Sequence, residues 1–235
     1  NERAQSICAH GGRPFARYWM HNGFVNIDRE KMSKSIGNTM VVHELLKQHR
    51  GEALRYVLLS AHYRQPLDWS EEAIAQARRT LDRMYAVLRE AESTLGGLPD
   101  AGAPNADPGQ AFLGALEDDL NTPEALAEMN GLARRLGTAL GDGGDRADVG
   151  QLTARLLAQG ALIGLLTEAP EAWFKGEASD DDAAIDTLVR ERDEARAQRN
   201  FARADEIRDQ LQAAGIVLED GAGGTRWRRA DPTPS

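Results

Sequence analysis

A chain of 235 residues, with 41% hydrophobic, 28% charged and only 6% aromatic residues, has room for one or two compact domains and leans towards Ala/Leu-rich helical packing rather than a large β core. Its one cysteine, Cys8, excludes a disulfide within the chain and suits a reducing cytoplasm; no apolar run of about 18 residues is present to span a membrane, and residues 1–30 lack the succession of a secretory signal. The formal charge of −9 argues on average against a nucleic-acid partner, but residues 168–186 carry seven acids and one base, whereas residues 190–229 hold nine arginines against eight acids. Charge therefore neither supports nor excludes RNA, because local patches decide binding. The opening at Asn1, without an initiator Met, reads as an entry in mid-domain and hence as a fragment of a longer protein.

In chain order, residues 3–10 suit a short helix ended by Gly11-Gly12. Phe15 to Ile27 mixes aromatic and β-branched residues, as a strand or hairpin does. A polar turn, Asp28-Arg29-Glu30, leads into a polar loop from Lys31 to Asn38, and helices are expected at Val41 to Gln48 and Glu52 to Ser60. Ser70 with Glu71-Glu72 starts a long helix whose Ile74, Ala77, Leu81, Met84 and Leu88 form one apolar face. After a Gly/Pro-rich loop at 96–109 come a helix from Ala111, a second capped by Thr122 with Pro123 in its first turn and striped by Leu126, Met129, Leu132, Leu136 and Leu140, and a third at Leu152 to Leu166. These should pack as a bundle. The acidic stretch 168–182 reads as an exposed linker. Beyond it, helices from Ile185 to about Asn200 and from Ala202 to Ala213, then strands at Ile216-Val217-Leu218 and Thr225 to Arg228, make a small α/β module, with a disordered tail from Pro232.

Lys31-Met32-Ser33-Lys34-Ser35, followed by Ile36-Gly37-Asn38, carries the chemistry. Two lysines three apart among hydroxyls, on a loop closed by glycine, can surround polyphosphate oxygens and offset the charge that builds on a leaving pyrophosphate. The plain alternative is a solvated Lys/Ser loop. The pentapeptide matches the second signature of class I aminoacyl-tRNA synthetases letter for letter. Around it, Asn1-Glu2-Arg3-Ala4-Gln5-Ser6, Tyr18-Trp19-Met20-His21-Asn22-Gly23, Asp118-Asp119-Leu120-Asn121-Thr122-Pro123-Glu124-Ala125 and Gly215-Ile216-Val217-Leu218-Glu219-Asp220-Gly221 stand in order. Together they make the chain resemble the cysteinyl-tRNA synthetases from Asn1 to about Arg229.

That resemblance implies a mainly α fold: residues 1–40 as the tail end of a class I Rossmann catalytic domain, 41–69 as a connecting stem-contact segment, 70–168 as a tRNA-binding helical bundle, 169–183 as an acidic linker, 184–229 as a small anticodon-binding α/β module and 230–235 as a disordered tail. It implies ATP contact by Lys31, Met32, Ser33, Lys34 and Ser35, with Lys31 and Lys34 catalytic and ATP entering with Mg2+ as substrate. Glu2 matches the last of four zinc ligands, otherwise two cysteines and a histidine, that hold the substrate thiolate; zinc separates a thiolate from a hydroxyl where an apolar pocket cannot. The other three ligands are missing here, so this Zn2+ site is incomplete and Glu2 reads equally well as an exposed helix acid. Cys8 is read as a small buried residue, and His10 and His21 have no ligand spacing. Anticodon contacts fall by resemblance on Arg196, Phe201, Asp205, Arg208 and Asp220, with Phe201 where the family usually has Trp; Phe still stacks on a base but loses the indole donor. Their plain alternative is a set of ordinary helix-surface ion pairs.

The function so implied is cysteine–tRNA ligation, with tRNA(Cys), cysteine and ATP as partners, in a cytoplasmic monomer. The first ATP signature is missing from the sequence, so the chain by itself should bind tRNA without activating cysteine. Binding alone is the alternative function. A cysteine:aminosugar-inositol ligase of mycothiol synthesis shares the lysine signature but has no use for residues 185–229.

Overall fold

The computed structural model describes residues 2–27, 41–100, 107–176, 179, 181–221 and 224–230, together with the backbone of Glu30 and Lys31. The turn at Asp28-Arg29, the signature loop beyond Lys31, part of the 96–109 loop and the tail from Pro232 lie outside the described residues.

The chain opens with α1 (Glu2–Ala9), closed at Gly11 and Gly12 as the sequence suggests. Ile7 is its one large apolar residue and none of its residues is buried, so Cys8 is exposed rather than packed. The expected strand from Phe15 shrinks to β1 (Val25–Ile27). Phe15, Tyr18, Trp19, Met20 and Phe24 stand exposed in irregular chain: strand-forming residue types make a strand only where a ladder partner exists. β1 pairs antiparallel with β2 (Glu30–Lys31) and parallel with β3 (Leu67–Trp69), giving the order β2-β1-β3. A parallel pair needs a crossover, supplied by the short α2 (Val42–Leu45) and by α3 (Gly51–Leu59). Gly23 is obligatory here. A Cβ on it would lie 2.1 Å from the Gln65 carbonyl oxygen, and its N–H donates to the Tyr63 carbonyl at 2.7 Å.

The bundle follows. α4 (Glu71–Leu95) begins where Ser70 accepts the Ala73 N–H at 3.2 Å and ends at Gly96, φ 73°. Its apolar face is buried as the period predicts, against α3, α6 (Thr122–Gly141) and α7 (Arg146–Ile163), with α5 (Gln110–Glu117) packed on α6. The cap of α6 is Asn121, one residue before the expected Thr122; its amide oxygen accepts the Glu124 N–H at 3.3 Å and its NH2 donates to the Glu124 carboxylate at 2.9 Å. α7 starts six residues before Leu152, in a stretch rich in Asp and Gly.

The main departure is at 168–182. Pro170–Lys175 form α8, with Trp173 and Phe174 in the bundle core. The acids that marked this stretch as a linker flank two aromatics that are buried with it. Arg50 reaches Glu168 at 2.8 Å and stacks 4.9 Å over Trp173.

The last unit is α9 (Asp182–Ala197), α10 (Phe201–Ala213) and an antiparallel hairpin of β4 (Ile216–Gly221) and β5 (Gly224–Arg229), with Ile185, Val189, Ile207, Leu211, Ile216 and Trp227 in its own core. It docks on the bundle through α8. The Arg229 guanidinium donates to the Lys175 carbonyl at 2.8 Å, the Lys175 ammonium lies 4.5 Å from the Trp227 ring, and buried Arg89 of α4 pairs with Glu219 at 2.5 Å. Among the described residues, no helix is long and apolar enough to cross a membrane.

Candidate nucleic-acid interface

Of the side chains singled out by sequence, Phe201, Asp205 and Arg208 stand on α10, and Arg196 of α9 meets Asp220 of the hairpin. Asn200 caps α10 by accepting the Arg203 N–H at 3.3 Å, which sets Phe201 in the first turn. Asp205 and Arg208 follow at four and seven residues, so the three share a stripe beside the buried Ala204, Ile207 and Leu211. Phe201 is 60% exposed, an aromatic side chain largely open to solvent. Arg208 pairs with Asp205 at 3.0 Å and with Asp209 at 3.2 Å, the surface pairing that the bland reading expects.

Arg196 and Asp220 are 24 positions apart and no spacing could join them. The hairpin does so by folding onto α9. Thr225 is pinned to Asp193 through its N–H at 3.1 Å and its hydroxyl at 2.5 Å, which brings Asp220 to the helix. Asp220 then accepts a fork from Arg192 at 2.9 and 3.2 Å, pairs with the Arg196 guanidinium at 2.9 Å, and at 2.9 Å competes with Asp193 for the single Thr225 hydroxyl proton. Arg192, with help from Thr225 and Arg196, holds the Asp220 carboxyl well below the usual carboxylate range, so these pairs persist throughout neutral pH. At this position Asp220 orients Arg196 while its side chain stays half exposed. Arg192, itself raised by Asp220 and by the field of Asp193 and Asp205, ties the stripe on α10 to this cluster. Sequence reading missed Arg192. It is only 7% exposed, and in a helix of alternating charges nothing marks which arginine turns inward.

A second cluster went unread. Asp119 accepts the Tyr63 hydroxyl at 2.7 Å and a fork from Arg64 at 2.6 and 2.9 Å, which lowers its pKa, while Arg64 also lies 4.9 Å from the Tyr63 ring. Asp119 and Leu120 both have positive φ, 53° and 54°. The side-chain bonds hold this strained turn between α5 and α6 against the chain leaving α3. The signal available in sequence was the polar Asp118-Asp119 before a capped helix.

The other candidate sites are less defined. Lys31 contributes backbone to β2 opposite Asn26, while Met32, Ser33, Lys34 and Ser35 lie outside the described residues. Glu2 is exposed on α1, and no group of three or more His, Cys, Asp or Glu side chains that could hold a metal occurs among the described residues. A lone carboxylate does not fit zinc, which takes three or four protein ligands.

Comparison with known proteins places these parts in a family. Residues 1–79 match the model of the class I (C) tRNA synthetase catalytic domain, residues 111–167 the DALR domain and residues 179–228 the cysteinyl-tRNA ligase anticodon binding domain. The chain is 52% identical over 231 residues to a cysteine–tRNA ligase of Xanthomonas campestris, covering 98% of this chain and 48% of that protein. It is 50% identical over 238 residues to one from Parvibaculum lavamentivorans, with 98% and 48% covered, and 49% identical over 234 residues to one from Alkalilimnicola ehrlichii, with 97% and 49% covered. The chain thus spans about half the length of the curated relatives it matches. With three of the family's domains in order and half its residues shared, the chain belongs to the cysteinyl-tRNA synthetases and corresponds to their C-terminal part.

Proposed function

We propose that the chain serves ATP-dependent ligation of cysteine to tRNA(Cys), supplying the lysine signature loop and the surfaces that hold the tRNA and read its anticodon, in a cytoplasmic, monomeric synthetase. The observation that carries this reading is the exposed Phe201–Asp205–Arg208 stripe beside the Arg196–Asp220 pair, within the segment that matches an anticodon-binding model. Phe201 offers a stacking face, Asp205 and Arg208 offer acceptor and donor to base edges once they exchange partners, and Asp220 with Arg192 fixes the Arg196 fork.

In the reaction, a cysteine carboxylate oxygen bonds to the α-phosphorus of ATP as the bond from that phosphorus to the bridging oxygen breaks, releasing pyrophosphate. The cysteinyl group then passes from the adenylate to the terminal adenosine of the tRNA. Little covalent chemistry falls to the protein; placement and charge do the catalysis. Lys31 and Lys34 would neutralise charge on the departing pyrophosphate, with Mg2+ entering on the ATP.

The test is binding of this chain to tRNA(Cys) and to the same tRNA with its anticodon replaced, at one fixed salt concentration. A preference of tenfold or more, about 1.4 kcal/mol, is the expected result; equal binding would remove the anticodon roles of Arg196, Phe201, Asp205, Arg208 and Asp220. The 235 residues alone are expected to give no cysteine-dependent pyrophosphate exchange, because they match the catalytic-domain model over residues 1–79 only and contain no first ATP signature. Measurable exchange by the pure chain would overturn that division of labour. A cysteine:aminosugar-inositol ligase leaves residues 179–228 without a purpose and is not favoured.

A further inference from the structure

We infer that Arg199, in the tight link between α9 and α10, is a phosphate contact for the bound RNA strand. This rests on the RNA-binding reading above and adds a residue outside the set assigned by resemblance.

Four non-glycine residues among those described have positive φ: Asp119, Leu120, Leu166 and Arg199. Three are accounted for inside the protein. Asp119 is held by Tyr63 and Arg64, Leu120 shares its turn, and Leu166 is buried with its N–H on the Glu52 carboxylate at 3.1 Å. Arg199 has φ 59° and is exposed, and its guanidinium has no hydrogen-bond or ion-pair partner among the described residues. Its backbone does an ordinary task. The Arg199 N–H donates to the Arg196 carbonyl at 3.0 Å and the Asn200 N–H to the Ala195 carbonyl at 2.8 Å, closing the end of α9. Glycine performs that task without the steric conflict between Cβ and backbone. An arginine kept there gains nothing from the fold, and a strained residue that the fold does not use points to a functional one.

The surroundings say what it meets. Of the nine arginines in residues 190–229, Arg192, Arg196, Arg203, Arg208, Arg228 and Arg229 each pair with a carboxylate, while Arg190, Arg199 and Arg226 have no ion pair among the described residues; of these three, Arg199 is the one in the link that leads into Phe201. Arg199 stands uncompensated three residues after Arg196 and two before exposed Phe201. A strand stacked on Phe201 brings phosphates, one negative charge per nucleotide, past this corner. Guanidinium matches a phosphate with two parallel N–H bonds. Such a contact positions the strand without reading its sequence.

The experiment uses the full chain, an RNA hairpin reproducing the anticodon arm of tRNA(Cys), and the same hairpin with its anticodon replaced, titrated between about 50 and 200 mM salt. Arg199→Gly should weaken binding of both hairpins by the same factor, roughly fivefold at the lower salt. It should make the salt dependence shallower by about 0.7 in log–log slope, and leave the melting temperature unchanged or higher, since glycine relieves the strain. Arg199→Lys should keep the wild-type slope. Unchanged binding by Arg199→Gly would overturn the proposal. So would a loss confined to the native anticodon, which would make Arg199 a base reader, or a loss that follows a fall in melting temperature, which would make it structural. A wild-type chain that binds neither hairpin would sink the RNA reading and this proposal together. A wild-type chain that binds both equally would sink the anticodon reading alone and leave Arg199 to the slope.

Discussion

Trp173→Ala is expected to destabilise the chain by about 4–5 kcal/mol, in the range for removing a buried large aromatic. Trp173 is fully buried. Its ring stacks on Tyr85 with centroids 4.4 Å apart and planes 12° apart, its Nε1–H donates to Asp82 at 2.7 Å, and the guanidiniums of Arg50 and Arg78 lie 4.9 and 4.5 Å from the ring centroid. Truncation opens a cavity among groups that cannot collapse into it, because α4 behind them is fixed along its whole length. Urea denaturation followed by circular dichroism should show the loss, with a melting temperature lower by on the order of 10 °C. Trp173→Phe keeps the stack and loses the indole bond, so its cost should be nearer about 1–2 kcal/mol. An alanine variant within about 0.5 kcal/mol of wild type, as surface changes usually are, would return residues 168–182 to the exposed linker that their composition suggests. The last unit packs on α8 through Arg229 and Lys175, so the same variant should also speed limited proteolysis between the bundle and that unit.

Trp173 also shows where sequence reading stops. Long regular signals were legible. Ser70 and the five apolar residues from Ile74 to Leu88 gave α4, and the stripe from Leu126 to Leu136 gave α6, because caps and a 3.6-residue period operate within one element. A single turn such as α8 has no period to detect, and its acids outvoted its two aromatics. The segment from Phe15 to Phe24 failed the opposite way. Its residue types suit a strand, but only Val25–Ile27 find a partner, and pairing is decided far along the chain at Leu67. The site divides along the same line. Phe201, Asp205 and Arg208 were named by resemblance, and one helix, starting a residue earlier than expected, aligns them by their spacing of four and three. Asp220 reaches Arg196 only because Thr225 bonds Asp193 and Arg192 turns inward, and that is tertiary information. The lysine signature was read in another way, by its letter-for-letter match to a family pattern, and its loop beyond Lys31 lies outside the described residues.

Glu52→Ala is expected to cost about 3–5 kcal/mol, the range for removing one partner from a buried charged network. Glu52 is 8% exposed on α3 and no base pairs with it among the described residues. Four donors neutralise it instead. One oxygen accepts the Thr167 N–H at 2.8 Å and the Thr167 hydroxyl at 2.5 Å; the other accepts the Leu166 N–H at 3.1 Å and the Tyr85 hydroxyl at 3.0 Å. Burial and the Glu52 charge together push the Tyr85 phenol far above its ordinary pKa, so it stays a donor at every accessible pH. Removing the carboxylate leaves two backbone N–H groups with fixed directions and no acceptor. Glu52→Gln separates charge from shape. Its amide NH2 must face one pair of donors, and the hydroxyls can rotate away but the N–H groups cannot, so about 2–3 kcal/mol should still be lost. Tyr85→Phe removes one donor of the four and the acceptor of the Glu168 N–H at 3.2 Å, and should cost less, about 1–2 kcal/mol. Equal stability of the Gln variant and wild type in urea would mean that the carboxylate is not the hub these bonds describe. The position of the hub gives the result its weight. Glu52 lies in the segment matched to the catalytic domain, Tyr85 lies on α4, and Thr167 closes the segment matched to the DALR domain. One buried carboxylate therefore sets the register between the part that carries the lysine signature and the helices that lead to the unit matched to the anticodon-binding model, and a variant that loosens it should reduce the proposed anticodon selectivity without touching any residue proposed to meet RNA.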